Sequence, residues 1–325
     1  MKALFPLPSR ILHARFPPRV RFQQPSALLS TLSPGSIHHG EKGTQYRLIR
    51  PLKTPSRGNN NKPNIWLAVD DTKPHIEYII KQPSKNDNSS ALSAFNHELT
   101  MQKLFAKDPM IRSLVDYIPD SEPAGPMMVL EAFTDTLWDA RNTRAFTIQE
   151  IKWIMKGVLL GVFTVHMKGL VHTVSNPSTR KITSLTYRSP EVHFQKPWNQ
   201  STDVWSWGII LAQLLQSRID MHSPGIYDSI PTTTTKTLTE TKPEKEHAIR
   251  DQLAIDFDLA SVPFYADCGG LLPAPQPEEA YMWANTMVEM GVAGEDVQFL
   301  VEVLNPDPEA RITVREILES GYLEG

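Results

Sequence analysis

Cysteine is almost absent from this chain: Cys268 is the one thiol in 325 residues. A single cysteine excludes an internal disulfide and any zinc site built on cysteine pairs, and it suits a reducing compartment. Long hydrophobic runs are missing as well. The longest nearly apolar stretch, Val204–Leu215, has twelve residues, well short of the roughly 20 that a membrane-spanning helix needs. No sign of charge dominates: 33 Lys+Arg stand against 36 Asp+Glu, a formal net charge of −3. The chain therefore lacks the basic footprint of a nucleic-acid binder. It also lacks an internal repeat of the kind that builds solenoids.

Acidic residues are missing from the first forty positions, and the first of them is Glu41. That stretch carries Lys2, Arg10, Arg15, Arg19 and Arg21 together with six prolines. A basic, Ser-containing leader without acids suits a mitochondrial presequence. Yet only Ser9–Phe16 is free of proline, room for about two helical turns. A Pro-rich tail over residues 1–43 fits equally well. No apolar run precedes a small-residue cleavage site, which argues against a secretory signal and leaves a cytoplasmic or nuclear protein as the alternative to a mitochondrial one.

What is present is ordinary for a globular protein: 40% apolar and 21% charged residues, in a length that suits about two domains or one two-lobed unit. Proline is the exception, with 27 residues or about 8% of the chain against roughly 5% on average. From Tyr46 to Lys81 the pattern is strand-like. Tyr46–Arg50, Asn64–Val69 and Ile76–Lys81 are separated by Pro, Gly and Asn clusters and read as an antiparallel meander. A helix starting at Ser90 should bury Leu92, Phe95, Leu99 and Leu104, and Met127–Glu131 reads as one more buried strand.

Beyond that point the chain turns helical. Thr147-Ile-Gln-Glu150 is a capping box, followed by a stripe of Ile148, Ile151, Met155, Val158, Leu159, Val162 and Val165. A helix over Asp203–Gln216 is apolar on most faces and should be buried. The Thr-rich residues 231–247 read as a surface insertion or disordered loop. Asp296–Glu319 reads as two short helices broken at Asn305-Pro-Asp-Pro308. A strand-rich part of roughly 90 residues and a helical part of roughly 190 make an α+β protein.

Three segments come in order: Tyr187-Arg-Ser-Pro-Glu191, Asp203-Val-Trp-Ser-Trp-Gly208 and Leu304-Asn-Pro-Asp-Pro-Glu-Ala-Arg311. Together they resemble the C-terminal lobe of a eukaryotic protein kinase of the Ser/Thr type. The first is similar to the A-P-E element that closes the activation segment. The second is similar to the buried D-x-W-S-x-G helix, and the third to the end helix whose arginine pairs with the A-P-E glutamate. Upstream, Tyr78-Ile-Ile-Lys81 resembles the V-A-I-K strand, whose lysine reaches the nucleotide phosphates. Glu98 stands where the family has the helix glutamate that holds that lysine. Met128-Val-Leu-Glu131 resembles the hinge strand that meets adenine through its backbone. Gly169-Leu-Val-His-Thr173 resembles the start of the catalytic loop, in the wording of the SR-protein kinases. The resemblance spans residues 44–324, as a two-lobed kinase-like domain with an N-lobe over 44–133 and a C-lobe over 134–324. It implies structural roles for Glu191, Asp203 and Arg311, a substrate-loop position for Ser184, ATP as the nucleotide and a protein as substrate or partner.

The departures from that family are as informative. Phosphoryl transfer needs a carboxylate near the acceptor hydroxyl and carboxylate and amide ligands for magnesium. Val174 stands where the catalytic aspartate belongs, and a valine can neither accept a proton nor orient a hydroxyl. Between Val174 and Glu191 there is no Asp or Glu, hence no D-F-G aspartate, and Asn176 stands too early for the metal-binding asparagine. His172 and Glu191 are 19 positions apart, where the family's motif order implies roughly 40–45. About 25 residues are thus missing in one block, because the sequence reads like the family again from Asn176 to Tyr187. The nucleotide-covering loop is reduced too: Gly58 is the one glycine between Tyr46 and Lys81, so no G-x-G-x-x-G cradle is present. These residues point to weak ATP binding and no magnesium held by the chain. Two readings stand: a pseudokinase that acts as a binding module, or a deleted form of an active Ser/Thr kinase.

Overall fold

The computed structural model describes residues 32–52, 63–84, 90–172, 182–228, 242–277 and 283–324. Most of the leader, Gly58, Val174, Asn176 and residues 231–241 of the Thr-rich stretch lie outside the described residues. The chain divides into two compact units. One is made by residues up to Phe95 together with Asp116–Val129, and the other by Asn96–Val115 together with residues from Leu130 onward.

The first unit is built on a six-stranded sheet in the order β1-β2-β3-β4-β6-β5. Its strands are β1 (Ile37–His39), β2 (Gln45–Pro51), β3 (Ile65–Asp70), β4 (Lys73–Lys81), β5 (Leu114–Ile118) and β6 (Met127–Glu131). β1 to β4 pair antiparallel in chain order, with Leu48 opposite Ala68 and Lys81 opposite Ile65. The alternation of side chains along a strand puts Tyr46, Leu48, Trp66, Ala68 and Ile80 into one core. β1 starts inside the stretch that the sequence assigns to the leader. Met127 to Leu130 are all buried, as befits an apolar run flanked by strands on both sides.

A buried carboxylate sets the edge of this sheet. Asp116 on β5 accepts from the Tyr46 hydroxyl at 3.0 Å and from its neighbour's amide, Tyr117, at 2.8 Å. Gly40, in the turn between β1 and β2, permits this approach, since a Cβ there would stand 2.0 Å from Asp116 Oδ2.

The second unit is helical: the end of α1 (Ser90–Leu104), then α2 (Leu137–Thr143), α3 (Ile148–His166), α4 (Pro190–His193), α5 (Ser201–Ile219), α6 (Lys242–Asp256), α7 (Trp283–Glu289), α8 (Gly294–Val303) and α9 (Val314–Glu319). α3 starts at a complete capping box, with Thr147 accepting from the Glu150 amide and Glu150 accepting from the Thr147 amide. Of its stripe, Ile151, Met155, Leu159 and Val165 are buried, but Val158 is 41% exposed. In α1 the same happens: Phe95 and Leu99 are buried while Leu92 and Leu104 face out. Two helix neighbours cover only a narrow stripe, so an apolar residue at its margin remains wet.

α5 is the centre of this unit, with fourteen of its residues buried. The indole N–H of Trp207 donates to Met155 O at 2.9 Å, which ties α5 to α3. Gly208 faces α8 so closely that a Cβ would stand 2.6 Å from Val303 Cγ1. α6 begins within the stretch read from sequence as a Thr-rich loop. Pro243 suits the first turn of a helix, and Ile249 and Leu253, four apart, give it an apolar face that is fully buried.

Candidate functional site

The site residues named from sequence fall into the two units separately. Lys81 ends β4 in the first unit, half-buried, while Glu98 lies on α1 in the second. Glu98 lines a cavity of about 370 Å³ together with Gln102, Phe105, Val165, Val171 and His172. Glu131 ends β6 with an exposed side chain. Its backbone amide donates to Ser113 O at 3.1 Å, and its carbonyl accepts from Arg112 Nε at 2.7 Å. The same Arg112 guanidinium lies 5.1 Å from the centroid of the Phe133 ring. Arg112 Nη2 donates to the same oxygen, so two donors occupy the Glu131 carbonyl.

Asp203 sits in the first turn of α5. Its Oδ2 accepts from His166 Nε2 at 2.9 Å and from the His172 amide at 2.8 Å. Gln200 reinforces the hold, donating from Nε2 to His166 O and to Leu170 O, each at 3.0 Å. Two side chains of one helix start thus fix the end of α3 and the segment through His172. On the far side of residues 173–181 the chain is anchored in the same place: Val171 packs with Ile182, Val192 and Trp198 in one buried cluster.

Four carbonyls of the segment Ile182–Tyr187 have a side-chain donor. Arg188 donates to Ile182 O at 2.9 Å and to Thr183 O at 3.2 Å, and also to the Glu246 carboxylate at 3.0 Å. His193 Nε2 donates to Leu185 O, and Ser206 to Tyr187 O at 2.8 Å. Thr183 has a φ of 60°, a left-handed conformation that costs a non-glycine residue on the order of 1–3 kcal/mol. The strained turn presents Ser184 to solvent, with no side-chain cap hydrogen bond of its own. Tyr187 behind it donates to Gln213 Oε1 at 3.0 Å. Burial and then the Asp228 carboxylate push its phenol up, and the Arg141 guanidinium pulls the other way.

Glu191 and Arg311, 120 positions apart, meet with both side chains fully buried. Arg311 gives two parallel bonds to the carboxylate, 2.9 and 3.1 Å. Its remaining donors reach Asn305 O at 2.7 Å, Ser201 O at 2.9 Å and Pro306 O at 3.4 Å. Five N–H groups thus meet five acceptors, the condition under which a buried ion pair is tolerated. Among the described residues no group of three or more His, Cys, Asp or Glu side chains is placed to hold a metal ion.

With this geometry in place, the comparison with known families is direct. The sequence model of the protein kinase domain matches residues 173–323. A protein kinase domain is therefore present, which supports a eukaryotic protein kinase. The mixed α+β architecture, a curled antiparallel sheet with several helices, is consistent with the two-lobed kinase fold. No curated protein matches the chain.

Two tests follow from these contacts. Arg311→Met leaves Glu191 charged, buried and unpaired, so the urea midpoint should fall by an amount worth about 3–5 kcal/mol. The double variant Glu191→Leu with Arg311→Met should recover much of that loss, because no orphaned charge remains. The second test concerns His193, where burial, aided by Arg188, holds the imidazole down to about 4 from 6.5. Its folded value lies below its unfolded one, so its stabilising effect is complete above 6.5 and is lost as pH falls towards 4. The loss should reach about 3 kcal/mol. His193→Gln should flatten that part of the stability–pH curve; an unchanged slope would place the titrating group elsewhere.

Proposed function

We propose that this chain is a kinase-fold protein that does not transfer phosphate and that acts by binding a protein partner. One observation carries the reading. The segment through His172 is held by Asp203, yet the sequence from Val174 to Pro190 holds no carboxylate. A catalytic base for the acceptor hydroxyl and a magnesium-binding D-F-G aspartate both have to come from that interval. Magnesium does not fit the residues present there, and no transfer step is drawn through it.

The described residues on either side of this interval, Val171 and Ile182, share one apolar cluster. Met101, Phe105, Val165, Leu170 and Val171 line the cavity beside Glu98. That supports a helical unit from which covering chain has been removed. Nucleotide binding is weak in this reading, because no glycine cradle wraps the phosphates. The basic, acid-free residues ahead of β1 serve as a mitochondrial targeting segment or as a Pro-rich tail.

The second reading, a deleted form of an active Ser/Thr kinase close to the SR-protein kinases, rests on the clean left edge of the gap after Thr173. A block loss explains that edge better than scattered substitutions do. Sequencing the transcript between the codons for Thr173 and Val174 separates the readings. A skipped segment encoding Asp, Lys, Asn and D-x-G would favour the deleted enzyme, and a contiguous transcript the pseudokinase.

For the protein itself, the purified full chain should not transfer phosphate from Mg·ATP to Ser/Thr peptides above background. Turnover that Lys81→Met abolishes would overturn the proposal.

A further inference from the structure

A half-buried carboxylate with no cation beside it closes the far end of α6. Asp256, the last residue of that helix, accepts from the Tyr227 hydroxyl at 3.1 Å through Oδ2 and from Gln252 Nε2 at 2.7 Å through Oδ1. Both donors are neutral, and among the described residues Asp256 has no ion-pair partner. Tyr227 is 1% exposed and belongs to the main core of the unit. Just past Asp256, the Phe257 ring lies 4.8 Å from Trp205 and 5.0 Å from Trp283. Burial pushes the Asp256 carboxyl up from 3.8 to about 6, against the pull of its two donors.

Two adjacent residues thus reach both ends of α6. Tyr227 holds the last turn, and Asp228 O accepts from Lys245 Nζ in the first turn at 3.5 Å. The charged groups around the helix are engaged elsewhere. Glu246 takes Arg188, His247 and Arg250 both reach Asp251, and His193 on α4 faces Arg188, Glu246 and Arg250. The Asp228 carboxylate accepts from the Gly225 amide and from Gln213, and Tyr187 donates to the same Gln213. Leu259–Ser261, which follows α6, carries no titratable side chain. The state of Asp256 is therefore set by its burial and by two neutral donors.

We propose that Tyr227 and Asp256 form a pH-sensitive latch: the neutral carboxyl holds the end of α6 against the core phenol, and its ionisation loosens that end. An ionised carboxylate between two neutral donors is poorly compensated for the water it has lost. The folded value lies above the unfolded one, so the latch is at full strength below 3.8, weakens as pH rises, and has lost its contribution above about 6. The same helix carries Glu246, which holds Arg188 against Ile182 O and Thr183 O. Opening of α6 therefore loosens that segment as well. The inference goes beyond the functional reading above and does not depend on it, because α6 responds to pH whether or not phosphate is transferred.

The test is amide hydrogen exchange of the full chain, read by mass spectrometry and corrected for intrinsic rates, at a series of values between about pH 5 and about pH 8. Across that range, opening at the α6 amides should rise about tenfold more in the wild type than in Asp256→Asn. Asparagine keeps the shape and an acceptor for Tyr227 but has no charge to expose. His193 titrates in the opposite sense, and its effect is common to both proteins, so the difference isolates Asp256. Tyr227→Phe is the second variant. It removes one donor to the carboxylate while keeping the ring in the core, so the pH at which the rise levels off should move upward. If Asp256→Asn fails to fold, that shift alone decides. Equal pH dependence in the wild type and Asp256→Asn would overturn the proposal. So would a levelling point that Tyr227→Phe leaves in place, or a response shared equally by the amides of the β-sheet.

Discussion

The helical unit depends on one carboxylate. Asp203 lies 5% exposed at the start of α5, and its Oδ2 alone accepts from the His166 ring and from the His172 amide. A buried carboxylate is affordable only when its oxygens are filled. The segment from the end of α3 to His172 is therefore held in one place. With Gln200 bonded to two carbonyls of the same segment, the chain as far as His172 is fixed by α5.

The same logic runs through the rest of the unit. Arg188, Ser206 and His193 each cap a carbonyl of the segment between Ile182 and Tyr187, and Arg311 fills both oxygens of Glu191. Polar side chains on α4, α5 and the last turn before α9 thus do locally what a ladder of backbone bonds does in a sheet. Arg141 is buried on the same scale, yet its Nε and Nη1 have no hydrogen-bond acceptor among the described residues.

Much of this was legible in the sequence where a long pattern or a motif carried it. The meander from Tyr46 to Lys81, the capping box at Thr147 and the apolar helix after Asp203 all have periods that outlast local noise. Both partners of the Glu191–Arg311 pair could be named because the ordered motifs that hold them resemble kinase elements whose glutamate and arginine pair. Short elements were harder. β1 and β5 have three and five residues, too few for alternation to show, and α2 has seven, about two turns. α6 was hidden because its first turns look like the Thr-rich stretch before it; only Ile249 and Leu253 reveal a face. Arg141 gave no signal at all, because its burial is created by Tyr187 and the residues around Asp228, far along the chain.

The separation of Glu191 from Arg311 has a consequence for how the protein is made. The glutamate leaves the ribosome 120 residues before its partner, an interval of roughly 6–24 s at about 5–20 residues per second. During that time α5 can collapse on α3, but the carboxylate at its edge has no counterion and cannot be buried. The helical unit is therefore an open, chaperone-accessible state until Arg311 emerges. Nascent chains that end between Glu191 and Arg311 share one defect, an unmatched acid in the helical unit. Quality control would read that defect as a failure to close, long before any question of activity arises.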